Sequence, residues 1–359
     1  MTFDEARALF PVLARYAYLN AGSVGPIARP TIAAMERELH RELEEGRGGA
    51  ERFEAVVELR RRVREALARV LGVDGECVAV TSSTTESCRL VVAGLDLGAD
   101  DEVVTTDVEH FGLTGPLAAS GARVRVAEVR DRQADEAYAA ILREIGPRTR
   151  LVALSHVAWT TGHELPVGEL EQELTVPLLV DGAQSVGAIP VDATPYDFYT
   201  VSGQKWLCGP DSTGALYVRE PESLRVAAPS YLSQETYEPD GSFSPKPGAA
   251  RFDPGWTGGA VLEGVLAALE VAPAWRYERA SQMAARCREL LAERADVVTE
   301  PGHATLVTWR AEGDTKQLVQ AAHEQGVVIR ELPRLGWLRA SCGWWTNEED
   351  LERLVAAVA

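Results

Sequence analysis

Between Cys77 and Val218 the chain alternates short β-rich runs with helix-length segments, and this alternation constrains the fold more than any other feature. The runs Cys77–Thr81, Glu102–Thr106, Arg123–Val129, Arg150–Leu154, Pro177–Val180 and Phe198–Val201 are rich in branched aliphatic, Thr and aromatic residues. Stretches such as Thr84–Leu95 and Asp135–Ile145 lie between them and have the length and spacing of helices. Strands alternating with helices imply right-handed βαβ units and a mostly parallel sheet. Gly214–Val218 is a candidate late strand of the same sheet. Upstream, Pro30 opens a helix over Thr31–Glu45 and the run EGRGG ends it. A second helix spans Glu51–Leu71, with Val56, Leu59, Val63, Leu67 and Val70 on one face.

The rhythm breaks over Ala228–Gly255, where five prolines predict a long irregular surface or interface segment. Helical periodicity returns over Gly258–Glu270 and Arg276–Arg294. The remainder reads as a compact α+β unit, with strands near Ala304–Trp309, Val327–Arg330 and Leu338–Ala340 and helices near Thr315–Gln325 and Asn347–Val358. The expected class is α/β. Residues 31–258 form a large domain with a mostly parallel sheet flanked by helices, and 259–359 a connecting helix and a small C-terminal α+β domain. Residues 1–30 form an N-terminal segment packing on the functional site.

Composition narrows the function classes. The 359 residues hold 36 Lys+Arg against 54 Asp+Glu, a formal net charge of −18, which argues against nucleic-acid or anionic-membrane partners. No apolar stretch approaches the ~18 residues of a membrane span. Asp4 and Glu5 stand where a secretory signal would be basic, so a cytoplasmic protein is expected. The five cysteines are scattered without a CxxC pair and the six histidines form no HExxH, so neither a disulfide framework nor a metal centre is expected.

Three segments carry chemistry. In SGQKW (Ser202–Trp206), Lys205 follows a β-rich run and sits in a short turn half wrapped in apolar residues. A desolvated amine there would be a nucleophile near neutral pH, although on this segment alone it reads as a surface lysine lying over Trp206. In DGAQS (Asp181–Ser185), the apolar run VPLLV ends on Asp181, placing a carboxylate at the C-terminal end of a central strand. A carboxylate held there could keep a pyridine nitrogen protonated, or simply cap the next turn. In SSTTES (Ser82–Ser87), hydroxyls and free N–H groups at a helix start suit a phosphate, and serve equally as an N-cap.

Phosphate cradle, strand-end Asp and loop Lys together match the needs of pyridoxal 5'-phosphate. From YLNAGSVGP (Tyr18–Pro26) to RASCGWWTNEEDLERL (Arg339–Leu354), the chain resembles a fold-type I enzyme of the class V aminotransferase family. That family includes cysteine desulfurases, cyst(e)ine C–S lyases and isopenicillin N epimerase. The densest part of the resemblance is SHVAWTTG…VDGAQSVG…SGQKWLCGP.

The resemblance implies that Lys205 forms the Schiff base and moves protons at Cα, that Asp181 bonds the pyridine nitrogen and Gln184 the ring O3′, and that His110 stacks on the ring. It gives Thr84, Thr85, Ser202 and Gln204 to the phosphate, with Thr257 supplied from the neighbouring subunit of a homodimer. Arg339 would clamp the substrate α-carboxylate, and Asn20 lies in the segment that lines the substrate pocket. Arg251, Trp256 and Arg330 are candidates for reading the distal end of a small amino-acid substrate.

Departures from the family pattern choose among reactions. Trp159 stands where the family often has Asn, and Gln204 where many desulfurases have His. The link VVIRELPRLGWLRAS (Val327–Ser341) has no cysteine, whereas desulfurases carry their nucleophile there. The shortened link resembles the cyst(e)ine C–S lyase branch, and β-elimination to pyruvate, ammonia and a sulfur product is the expected reaction. Transamination, racemisation or epimerisation on the same cofactor are alternatives, with desulfuration or a cofactor-free scaffold ranking behind them.

Overall fold

The computed structural model describes residues 1–358. Helix α1 (Phe3–Ala8), capped reciprocally by Thr2 and Glu5, leads to a two-residue strand β1 (Ala17–Tyr18) and then to helices α2 (Arg29–Glu45) and α3 (Ala50–Leu71). Pro30 lies in the first turn of α2, and Gly72 closes α3 in the left-handed region at φ 73°. The alternating stretch follows as β2 (Val78–Thr81), α4 (Thr84–Gly94), β3 (Glu102–Thr106), α5 (Phe111–Ala119), β4 (Arg123–Ala127) and α6 (Ala134–Glu144). It continues through β5 (Thr149–Ser155), α7 (Val167–Glu173), β6 (Leu178–Asp181), β7 (Phe198–Ser202) and β8 (Gly214–Val218).

These strands form one sheet in the order β2-β8-β7-β6-β5-β3-β4. The five strands from β7 to β4 pair in parallel, and β8 runs antiparallel between β7 and β2. Gly214–Val218 therefore belongs to the sheet, in the reverse direction. Both faces are covered. Along β5, Leu151 and Ala153 enter an apolar cluster with Leu90 and Val91 of α4 and Leu113 and Leu117 of α5. Val152 and Leu154 enter the opposite cluster, with Val56, Leu59, Val63 and Leu67 of α3. A strand buried on both faces has no polar positions to alternate, which is why these runs are continuously apolar in the sequence.

The segment after β8 is more ordered than its prolines imply. Strand β9 (Gln234–Tyr237) pairs antiparallel with β10 (Phe243–Pro245) before a 3-10 turn at Gly248–Phe252. Helices α8 (Gly259–Val271) and α9 (Arg276–Ala292) lead to β11 (Leu306–Arg310), α10 (Thr315–Glu324), β12 (Val327–Val328), β13 (Arg330–Leu332), β14 (Trp337–Ser341) and α11 (Glu348–Val358). The expected strand Val327–Arg330 is two strands, because two partners divide its backbone. Val327 and Val328 pair with Ala17 and Tyr18, while Arg330–Leu332 pair with β14. Arg7 also ties α1 to the start of α11, meeting both carboxylate oxygens of buried Asp350 at 2.8 and 3.0 Å. No helix among the described residues is long and apolar enough to cross a membrane.

Gly182, next after Asp181, approaches β7 so closely that a Cβ would stand 2.2 Å from the Thr200 carbonyl oxygen. Gly182→Ala is expected to destabilise the fold by about 1–3 kcal/mol, read as a lower denaturant midpoint. An unchanged midpoint would show that the β6–β7 spacing yields freely.

Candidate active site

The carboxyl ends of β2, β3, β5, β6 and β7 lie along one edge of the sheet, where ligands of open α/β folds bind. Asp181 is the last residue of β6, opposite Ser155 of β5, and is 4% exposed. Its Oδ1 accepts from the Ala183 N–H at 2.8 Å and from Thr200 Oγ1 at 3.3 Å. Its Oδ2 has no hydrogen-bond partner among the described residues.

Lys205 lies in the turn after β7, and Cys208 N–H donates to its carbonyl at 3.0 Å. Desolvation lowers its amine to about 8; the Asp181 charge opposes this, and Arg339 and Arg330 add to it. Gln184 is buried with a fixed orientation: the Trp206 indole, which can only donate, faces Oε1 at 3.0 Å. Nε2 donates to the Gly22 carbonyl at 2.9 Å and keeps a second N–H.

His110 caps α5, its Nδ1 accepting from Gly112 N–H at 3.0 Å. That bond requires a neutral ring with its proton on Nε2. Burial, with the Lys205 charge next, pushes the imidazole below its ordinary value, which keeps it neutral. Its neighbour Glu109 gave no sequence signal. Its carboxyl accepts from Thr106 Oγ1 at 2.6 Å and from Ser155 N–H at 3.0 Å, and burial raises it to about 7.

At the start of α4, Ser83 caps the helix by accepting from Glu86 N–H at 3.1 Å. The N–H groups of Thr84 and Thr85 have no partner among the described residues, as expected for a first helical turn. Ser202, at the end of β7, donates to Gln204 Oε1 at 2.9 Å.

Arg339, on β14, is 1% exposed and faces Thr308 of β11 and Arg330 of β13. Its Nη1 donates to the Trp159 carbonyl at 2.8 Å, while Nε and Nη2 have no partner among the described residues. Burial, with the Arg330 charge, lowers this guanidinium to about 9. Arg339 and Arg330 form no ion pair among the described residues; Arg330 donates to Ser23 Oγ at 3.3 Å. Trp159 stands edge-on to His110 at 5.3 Å, with its own indole N–H unpartnered among the described residues.

The N-terminal segment closes over these groups through its backbone. Gly22 N–H donates to Ser341 Oγ at 3.1 Å and Gly25 N–H to the Gln204 carbonyl at 2.8 Å. A Cβ on Gly22 would stand 2.7 Å from Arg339 Nη2, and one on Gly25 2.1 Å from the Lys205 carbonyl oxygen, so this approach requires glycines. Asn20 bridges to Ser341 and accepts from Ser23 Oγ at 2.8 Å; the contact with Gln184 comes from Gly22.

Other candidates lie elsewhere in the chain. Thr257 Oγ1 accepts from Arg60 at 2.9 Å, and Trp256 stacks on Phe53 at 5.5 Å. Arg251 is engaged by Glu222 at 3.1 Å and by the Lys246 carbonyl at 3.1 Å. His163, Glu300 and His303 come together outside the cleft. There His163 accepts from Glu300 N–H at 3.2 Å and His303 from Glu164 N–H at 3.1 Å, so backbone groups already use a lone pair of each ring.

The family profile described as aminotransferase class-V matches residues 17–354. Isopenicillin N epimerase of Streptomyces clavuligerus is 29% identical, over 99% of this chain and 97% of that protein. Among solved structures, the cystine C–S lyase C-DES in complex with its reaction product cysteine persulfide is 28% identical, with a TM-score of 0.89 covering 97% of this chain and 98% of that one. A mutant of C-DES with glycine covalently linked to its PLP cofactor matches at 27% identity and a TM-score of 0.90, covering 98% of each chain.

Modification of Lys205 in the cofactor-free protein by an amine-directed reagent, followed by peptide mass spectrometry, is expected to show a midpoint near the value of about 8. Arg339→Gln removes a positive neighbour and should move that midpoint up, and Asp181→Asn should move it down. Shifts of the opposite sign would contradict the electrostatics described.

Proposed function

The chain belongs to the class-V aminotransferase family, and from that premise we propose that it is a C–S lyase, eliminating sulfur from the Cβ of a cysteine- or cystine-type amino acid to leave pyruvate and ammonia. As a member of this family it is a pyridoxal-phosphate enzyme. The residues fit the cofactor: a buried carboxylate with one free oxygen, unbonded N–H groups at a helix start, and a lysine whose amine is lowered to about 8. When bound, the cofactor supplies an electron sink conjugated to the substrate nitrogen.

Around that group each residue has a task. Asp181 presents Oδ2 to the pyridine nitrogen, and Gln184 offers its remaining N–H to the ring oxygen. Thr84, Thr85, Ser202 and Gln204 hold the phosphate at the start of α4. Neutral His110 would lie against the ring. Arg339 takes the α-carboxylate, since a buried guanidinium with two unpaired nitrogens calls for a bidentate anion. Lys205 takes the Cα proton as sulfur leaves Cβ; an amine near 8 is a usable base at neutral pH. Asn20 sits in the backbone wall that excludes water from this space.

The observation that carries the choice of reaction is the turn between β13 and β14. Leu332 pairs directly with Trp337, so only Pro333–Gly336 connect the strands and no cysteine-bearing loop fits there. Elsewhere, burial raises the thiols of Cys77, Cys88 and Cys208, the last beside Lys205, and none of these has the lowered value that a persulfide-forming nucleophile needs. Arg330, opposite Arg339, is a second cation without an acid partner among the described residues and suits the second carboxylate of a cystine-type substrate. Epimerisation is the second reading, supported by the match to isopenicillin N epimerase over nearly the full length of both chains.

Exposed Ile32, Leu39 and Leu43 on α2, Phe53 and Val57 on α3, and Trp256 stacked on Phe53 support a homodimer whose partner supplies Thr257 to the phosphate. The free cysteines support a cytoplasmic protein.

Purified holoenzyme given L-cystine should release pyruvate together with a persulfide. Racemised substrate without pyruvate would move the assignment to epimerisation. Lys205→Ala should reduce pyruvate formation by at least about 1,000-fold. Arg330→Ala should raise KM about tenfold for cystine and leave it unchanged for S-methylcysteine, which has no second carboxylate. Equal effects on both substrates would remove Arg330 from substrate recognition.

A further inference from the structure

Thr257 is held by a frame that the reaction reading does not use. Arg60, on α3, is 5% exposed, and its Nη1 donates to the Val80 carbonyl at 3.3 Å. Its Nη2 donates both to the Gly255 carbonyl and, at 2.9 Å, to Thr257 Oγ1. The guanidinium also faces Asp253 Oδ2 at 3.4 Å. Asp253 accepts from Val80 N–H at 3.0 Å and pairs with Arg64 at 2.6 Å. The end of the irregular segment is thereby fixed to β2, two residues before the serines that lead into α4.

The chemistry of the Arg60–Thr257 bond sets the direction of the hydroxyl. A guanidinium has no acceptor, so Thr257 Oγ1 is the acceptor and its own hydrogen is not used in that bond. The hydrogen has no acceptor among the described residues. An oxygen that receives a charged donor becomes a stronger donor itself. Trp256 and Gly258, on either side, are exposed, so the hydroxyl stands at the surface of its own chain.

We propose that Arg60 is a positioning residue that, by donating to Thr257 Oγ1, aims the Thr257 hydroxyl at the cofactor phosphate in the partner subunit's site. This rests on the reading of Thr257 as a phosphate contact across the dimer. A direct consequence is that substitutions at the two positions act on cofactor retention through one bond.

The test measures the cofactor dissociation constant of the holoenzyme and the 31P resonance of the bound phosphate. Thr257→Val is expected to weaken retention about tenfold and to shift the resonance, with Thr257→Ser near the parent. Arg60→Met should reproduce both changes, and the double variant R60M/T257V should be no worse than the weaker single variant. Arg64→Met removes a cation from the same Asp253 without touching Thr257, and should leave both readouts unchanged. If R60M does not fold, R60K carries the test. A lysine ammonium gathers its donors at one point, whereas Arg60 reaches the Val80 carbonyl through Nη1 and the Gly255 carbonyl and Thr257 through Nη2, so the same coupling with T257V is expected. Additive losses in the double variant, or equal losses from R64M, would overturn the proposal while leaving Thr257 as a phosphate contact. A T257V protein that keeps its cofactor as tightly as the parent would overturn the phosphate reading itself, and the proposal with it.

Discussion

The guanidinium of Arg339 is withdrawn from water without a carboxylate to meet it, and the rest of the site is arranged around that imbalance. Burying an uncompensated cation costs several kcal/mol, and a neighbouring cation on the adjacent strand adds to the cost. The chain supplies only a carbonyl, that of Trp159, and leaves Nε and Nη2 open. An amino-acid carboxylate would relieve that imbalance on arrival. A carboxylate that met both open nitrogens would also fix where Cα lies relative to Lys205.

Burial, and after it the same positive field, governs the protonation of its neighbours. Lys205 is lowered by burial and by the two arginines, against the pull of Asp181. His110 is held neutral by burial and by the bond that uses its Nδ1. Beneath them, Glu109 grips Ser155 and so anchors the loop carrying His110 to the strand beside Asp181. Burial, with the neighbouring cations adding to it, thus favours the neutral amine and the neutral imidazole.

Much of this was legible from the sequence because it lives at strand ends. Asp181 closes an apolar run and Lys205 follows one, and a doubly buried strand announces itself by the length of that run. What remained hidden depends on partners distant in sequence. Strand β1 is two residues long and carries no periodicity; it exists only because Val327–Val328 offers it a ladder. The β9–β10 hairpin is masked by prolines that it tolerates at its ends. Glu109 looks like an ordinary loop acid until Ser155 is placed beside it, and nothing near Arg60 on its exposed-looking helix hints at Thr257. The unpaired state of Arg339 was also beyond reach, since Glu348 and Glu349 stand close behind it in the sequence and yet do not meet it.

The pairing of β1 with β12 bears on how the protein is made. Ala17 waits for Val327 to leave the ribosome, so β1 has no ladder to join until β12 is made. The sheet and both its helical layers can assemble before that ladder forms, with the N-terminal arm held to them through Gly22 and Gly25. Cofactor that reached a nascent chain would meet the strand-end residues with one wall missing. Closure of the cleft on this side is therefore coupled to the arrival of β12, and a chain truncated before β12 would keep the large sheet but lose the ladder that holds β1.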